Sequence, residues 1–206
     1  MFLTTISGTG SNEDAVLRAM FAARKRVFVD LLKWDVPVLA GQYEIDQFDD
    51  ADASYLILTD ASGGHLGSAR LLRTEKPHIL DTLFPELCSG AVPRGPAVRE
   101  ITRFCLDPEQ DARQRRITRD TLVMALAEFA LAGGVTAYTG VAESGWLQQI
   151  LGFGWDCRPL GQPQRIGQSL VGALHIAITP ETPSLLSAAG IAPIAVLDPA
   201  AARCAA

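Results

Sequence analysis

Apolar positions along the chain recur with two alternating periods, and turn residues punctuate them into a definite order of elements. Phe2 to Ile6 is a short apolar run that reads as a first strand. Ser11-Asn12-Glu13-Asp14 supplies helix-start chemistry. From about Ala15 to Leu32, Val16, Met20, Val27 or Phe28, and Leu31 recur at helical spacing. Lys33 to Asp52 fits neither period and reads as a long loop. Ser54 to Thr59 and Leu66 to Arg73 are strand-like, and Ser62-Gly63-Gly64 between them predicts a hairpin. Thr74 to Pro96 holds four prolines and one short helical stretch near Ile79 to Leu83. Val98 to Leu106 is the central strand. A helix over about Ile117 to Ala132 ends at Gly133-Gly134. Val135 to Ala142 (strand), Glu143 to Leu151 (helix), the turn Gly152-Phe153-Gly154-Trp155 and a last strand over Ser169 to Thr179 follow. A short helix near Pro183 to Ala189 and a loose tail from about residue 190 close the chain.

Charge changes this picture where it falls inside apolar elements. Arg24 lies on the apolar stripe of the first helix, Arg70 inside a strand, and Glu100 and Arg103 inside the central one. A buried charge is costly unless paired. A helical Arg in such a stripe either snorkels to water or meets a carboxylate. The long loop supplies Glu44, Asp46 and Asp49, interleaved with Trp34, Tyr43 and Phe48, and aromatics need something to pack on. Its acids lack the Gly and terminal Glu of an EF-hand loop. Three arginines and several acids in or beside core elements point to a buried polar site.

Composition bounds the rest. With 206 residues, 48% hydrophobic and 20% charged, the chain is expected to form one globular domain with no linker. A net charge of −5 offers no footprint for nucleic acid. No basic, apolar leader and no apolar run of about 20 residues is present, so neither a secretory signal nor a membrane span is expected. The four cysteines show no metal or CxxC spacing, which suits a reducing cytoplasm.

Dispersed residues then carry a resemblance. Arg24-x-x-x-Phe28, Trp34, Glu44-x-Asp46-x-x-Asp49, Arg70-Leu-Leu, Phe84-Pro and Glu100-x-x-Arg103-Phe104 occur in order. Over roughly residues 1 to 180 the chain resembles the acyl-homoserine-lactone synthases, the LuxI-type autoinducer synthases. The second half, a strand–helix–strand–helix order after a central strand, resembles the acetyltransferase-like (GNAT) fold. The resemblance implies an α/β, single-domain, GNAT-like mixed sheet flanked by helices. It implies an enzyme that moves an acyl group from acyl carrier protein or acyl coenzyme A to the amine of S-adenosylmethionine. Lactonisation then releases methylthioadenosine, with no cofactor and no metal. A GNAT-type N-acyltransferase on another small amine would explain the second half, but it leaves the set built on Arg24, Trp34, Asp46 and Asp49 unexplained.

On that resemblance, Arg24, Arg70, Arg103, Asp46, Asp49 and Glu100 are the expected catalytic group, with Glu100 as the base. Arg24, Phe28, Trp34, Glu44, Asp46, Asp49, Arg103 and Phe104 are expected to bind S-adenosylmethionine. Thr102, Met124, Thr139 and Trp146 are expected near the acyl chain, and a Thr at position 139 often accompanies 3-oxo chains in the family. Glu100 has a structural alternative, as a salt-bridge partner of Arg70 or Arg103. Arg113, Arg115, Arg116 and Arg119 stand where coenzyme A-binding relatives need glycines. They form a basic patch that could face an acidic carrier protein. In a regular pleat Glu100 and Thr102 share a face and Arg103 points to the other. If Glu100 and Arg103 line one site, a β-bulge must lie between them.

Overall fold

The computed structural model describes residues 1–8 and 14–196. Ser11, Asn12, Glu13, Cys204 and the end of the tail lie outside the described residues. The elements are β1 (Phe2–Ser7), α1 (Asp14–Arg24), a π-helical stretch (Lys25–Leu31), β2 (Val38–Leu39), β3 (Tyr43–Glu44), β4 (Ser54–Thr59) and β5 (His65–Arg73). Then come α2 (Ile79–Thr82), a 3-10 turn (Pro85–Leu87), β6 (Val98–Leu106), α3 (Ala112–Ala132), β7 (Ala137–Glu143) and α4 (Ser144–Leu151). β8 (Asp156–Pro159), β9 (Gln164–Ile166), β10 (Ser169–Ala177) and α5 (Thr182–Ala188) complete the series. Eight strands form a mixed sheet in the order β1-β4-β5-β6-β7-β10-β8, with β9 on β10, while β2 and β3 form a small hairpin. No described helix is long and apolar enough to cross a membrane.

Three elements differ from the expected pattern. The helix expected over residues 15 to 32 changes type after Arg24, from α-helical to π-helical over Lys25–Leu31. Leu32 N–H reaches Val27 O at 2.9 Å, and Lys25 Nζ meets Asp30 at 2.9 Å, both across five residues. α3 begins at Ala112 rather than near Ile117, since Asp111 Oδ1 accepts the Gln114 N–H at 2.7 Å and caps a first turn of polar residues. The loop 33 to 52 contains the β2–β3 hairpin, whose two-residue strands are too short to show a period.

The chain gathers into two compact units. Among the described residues, unit 1 comprises 1–8, 14–70, 103–123 and 192–196; unit 2 comprises Leu71–Thr102 and Met124–Ile191. In unit 1, β1 runs antiparallel to β4 from Phe2↔Thr59 to Ser7↔Ser54. In unit 2, β7 and β10 run antiparallel, and the start of β6 lies parallel to β7 from Val98↔Ala137 to Ile101↔Gly140. Gly140 is needed there, because a Cβ at that position would come within 3.1 Å of Ile101 O.

Unit 1 also carries a pH-sensitive group. His65, at the start of β5, is buried, with Nε2 2.9 Å from Ser68 Oγ. Burial pulls its pKa down to about 4. The unfolded value is about 6.5, so the folded chain keeps this ring neutral while the unfolded one takes up a proton. Stability is therefore full above about pH 6.5 and falls as the pH drops toward 4, by roughly 3 kcal/mol in all. Urea unfolding at pH 7 and pH 5 checks this. The wild type is expected to lose more stability between the two than His65→Gln does, and equal losses would place the titration elsewhere.

Candidate active site

The stripe that carries Arg24 along α1 ends on a guanidinium that is 1% exposed, so of the two sequence alternatives it meets carboxylates. Arg24 Nε donates to Glu44 Oε2, and its two terminal nitrogens donate to Asp49 Oδ1 and Oδ2 at 2.8 and 2.9 Å. Glu44 closes β3 and is wholly buried. The turn after it presents two more acids and braces itself. Phe48 N–H donates to Asp46 Oδ1, and Asp46 N–H donates to Asp49 Oδ2, each at 2.9 Å.

Two further arginines close the group from β5 and β6. Arg70 donates to both oxygens of Asp46, at 2.6 and 3.1 Å, and lies 2.9 Å from Asp49 Oδ1. Arg103 donates through Nε and Nη2 to Glu44 and through Nη2 to Asp46 at 2.7 Å. Forked guanidinium contacts of this kind are directional as well as strong. The electrostatics follow. Burial alone would lower the Arg24 pKa, but Asp49 and Glu44 outweigh it and leave it raised. Burial would likewise raise Asp49, yet Arg24 first and Arg70 next hold its carboxyl well below the usual range.

Aromatic rings bound the cluster. Phe28, in the π-helical stretch, stacks on Trp34 with centroids 4.8 Å apart and planes at 22°. The π geometry assists, as Trp34 N–H reaches back to Phe28 O at 2.8 Å. The Arg103 guanidinium carbon lies 5.5 Å from the Phe28 ring and 5.9 Å from the Trp34 ring. Phe21 lies under Arg24 and Phe48 under Arg70. Cys105 is buried beside Phe28, and burial pushes its thiol up to about 12, so it is inert packing.

The central strand is interrupted at Arg103, whose φ of 49° is left-handed. A non-glycine residue there is uncommon and strained by roughly 1–3 kcal/mol. Burial alternates at Glu100 and Thr102, then resumes at Cys105, so the phase slips by one residue. The regular pleat is thus broken at Arg103, whose guanidinium meets the acids Glu44 and Asp46 of unit 1.

Glu100 has partners that the sequence does not suggest. In unit 2 its carboxylate is wholly buried and accepts the N–H groups of Ile79 and Leu80, each at 2.8 Å. It caps the start of α2, where His78 provides no side-chain cap. Register places Glu100 beside Thr139, with Thr102 two residues on along the same face. Thr139 is 0% exposed and its hydroxyl has no hydrogen-bond partner among the described residues. Met124 is on α3, which the Tyr138 hydroxyl meets at Leu126 O on the opposite face of β7. Trp146, on α4, packs edge-on to Phe153. The structure thus gathers Glu100, Thr102 and Thr139 on one face, and Met124 and Trp146 on other elements. Phe104, next to Arg103, is partly buried. The basic patch on α3 is partly spent internally, as Arg119 and Arg116 lie 2.6 and 3.8 Å from the buried Asp120.

One cluster member escapes sequence reasoning. Tyr55, on β4, donates its hydroxyl to Asp49 Oδ1 at 2.9 Å. A tyrosine in an apolar strand reads as core, and nothing local signals its partner.

Comparison with known proteins supplies the context. Residues 10–184 match the family model described as autoinducer synthase. An acyl-homoserine-lactone synthase of Agrobacterium fabrum is 32% identical over 159 residues, which cover 75% of each chain. The structure of a CoA-dependent acyl-homoserine lactone synthase, BjaI, with SAM and isopentyl-CoA superimposes with a TM-score of 0.80 at 26% identity, covering 98% of this chain and 97% of that one. An acyl-CoA N-acyltransferase from Pseudomonas aeruginosa, 16% identical with a TM-score of 0.61 over 85% of this chain and 98% of that one, shares the GNAT-like fold alone.

Proposed function

The chain belongs to the autoinducer synthase family and is an acyl-homoserine-lactone synthase, and from that premise we propose that its charged cluster holds S-adenosylmethionine. The observation that carries this is the state of Arg103. Arg24 and Arg70 are each 1% exposed, whereas Arg103 is 10% exposed. Its Nε and Nη2 serve Glu44 and Asp46, which leaves Nη1 for a substrate carboxylate. The Phe28–Trp34 stack beside it offers an aromatic surface to the sulfonium or adenine, worth about 0.5–2 kcal/mol as a cation–π contact. Asp46 and Glu44 suit the ammonium.

The chemistry assigns the rest. The substrate α-amine, with a pKa of about 7.7–8.0, is mostly protonated near pH 7 and must lose a proton before it attacks. Glu100 is the proposed acceptor. Each of its oxygens accepts one backbone N–H, and a carboxylate oxygen can accept more than one hydrogen, so capping α2 and accepting a proton are compatible. The amine then forms a C–N bond at the thioester carbonyl, and the thiol leaves. The carboxylate next attacks the carbon bearing the sulfonium, the C–S bond breaks, and methylthioadenosine leaves as the lactone closes. The unpartnered Thr139 hydroxyl supports recognition of a chain oxygen, as in a 3-oxo substrate. Both substrates are cytoplasmic metabolites, and the free Cys88, Cys105 and Cys157 suit a reducing compartment, so we place the enzyme there.

The test supplies S-adenosylmethionine with acyl carrier protein thioesters in one arm and coenzyme A thioesters in the other. The expected result is acyl-homoserine lactone and methylthioadenosine in equal amounts, with the carrier-protein arm the faster. Acylated product without methylthioadenosine in both arms would overturn the lactonisation.

A further inference from the structure

We propose that Tyr55 is a positioning residue of the S-adenosylmethionine site, acting through Asp49 on Arg24 and Arg70. The inference rests on the reading that the cluster holds that substrate.

Asp49 is a carboxylate that both deeply buried arginines share. Its Oδ1 lies 2.8 Å from Arg24 Nη1, 2.9 Å from Arg70 Nη1 and 2.9 Å from the Tyr55 hydroxyl. Its Oδ2 takes Arg24 Nη2 and the Asp46 N–H. Five protein groups thus surround the two oxygens of a carboxylate that is 0% exposed, a placement that suits a support for the arginines better than a ligand of a substrate cation. Arg70 divides itself between Asp46 and Asp49. Apart from the two arginines it orients, Asp49 is braced from within its own turn by the Asp46 N–H, so a rigid donor outside that turn fixes it further.

Tyr55 supplies that donor from outside the ion pairs. It is 0% exposed on β4, which is paired along its whole length to β1. A strand interior is a more rigid mount than the turn that carries Asp49. Being neutral, its hydroxyl orients the carboxylate without adding a fourth positive group. Burial first, and the Asp49 charge next, raise its pKa, so it remains a donor. Its ring also packs edge-on to Phe21, at 6.0 Å and 80°, and Phe21 in turn lies 5.1 Å under the Arg24 guanidinium. Tyr55 therefore reaches Arg24 by two routes, one polar and one apolar.

Tyr55→Phe keeps the ring and removes only the hydroxyl. The expected result is a KM for S-adenosylmethionine raised about 3- to 10-fold, as one hydrogen bond to a charged group supplies, with the KM for the acyl thioester unchanged. A role in folding alone would lower the melting temperature without separating the two constants. The rise in melting temperature with S-adenosylmethionine, referred to each variant's own unliganded value, keeps the comparison readable if Tyr55→Phe is less stable. An unchanged KM for S-adenosylmethionine, or two KM values that move together, overturns the proposal. Arg103→Lys is the control for the site itself. If it leaves that KM unchanged, the assignment of substrate to the cluster fails; if it raises it and Tyr55→Phe does not, the role of Tyr55 alone fails.

Discussion

Arg24→Ala is expected to give a protein both inactive and much less stable than the wild type. The side chain is 1% exposed and its three donors go to Glu44 and Asp49. Removing it leaves two buried carboxylates short of a counter-charge, at a cost of about 3–5 kcal/mol. Whole domains are stable by only about 5–15 kcal/mol. For a chain of this size that corresponds to a melting temperature lower by roughly 10 °C or more. Acid sensitivity should change too. Asp49 contributes stability at pH values above its unfolded pKa of about 3.9, lost as the pH falls below it. Burial pushes its pKa up and Arg24 is the first of the groups that pull it down. The variant should therefore lose folded structure at a higher pH than the wild type. Thermal unfolding between pH 4 and pH 7 checks both effects, and a wild-type melting temperature would refute the burial argument.

Glu100→Gln has the second large effect, and the structure makes it less simple than a loss of charge. If Glu100 accepts the amine proton, turnover should fall by about 10²- to 10⁴-fold. The carboxylate also receives two backbone N–H groups. A carboxamide has one oxygen for them, so its own NH₂ is set against the N–H of Ile79 or Leu80. That mismatch costs about 1–3 kcal/mol. The two effects separate when rates are expressed per folded molecule. A loss of 100-fold or more with a melting temperature only a few degrees lower supports the base. Activity that merely tracks the folded fraction would reduce Glu100 to a cap for α2.

The fold was legible wherever a period was long or a charge sat out of place. Arg24 on an apolar stripe, Arg70 in a strand and Arg103 in another marked the buried cluster, while Glu100 marked the start of α2 instead. A break in β6 was expected on the condition that Glu100 and Arg103 line one site, and the φ of 49° at Arg103 does interrupt the pleat there. Interactions that leave no local trace were not legible. The π-helical stretch carries the same apolar spacing as an α-helix. The first turn of α3 is polar because it faces water, so the pattern reads as loop. Glu100 was weighed as a partner of arginines, but its partners include backbone N–H groups twenty residues away. Tyr55 bonds Asp49 with nothing in β4 to distinguish it from core.

The pairing of three guanidinium groups with Glu44, Asp46 and Asp49 has a consequence for selectivity. The group by itself has zero formal charge, so a purely anionic or purely cationic visitor would leave an uncompensated charge beside it. A molecule that brings a carboxylate and an ammonium together can trade places. In the proposed complex its carboxylate would take up Arg103, and the acid released there would meet its ammonium. Such an exchange of partners buries no net charge from the amino-acid end and asks little of the surrounding salt. Methylthioadenosine lacks that end, so it has no hold on the exchange and departs once the ring has closed.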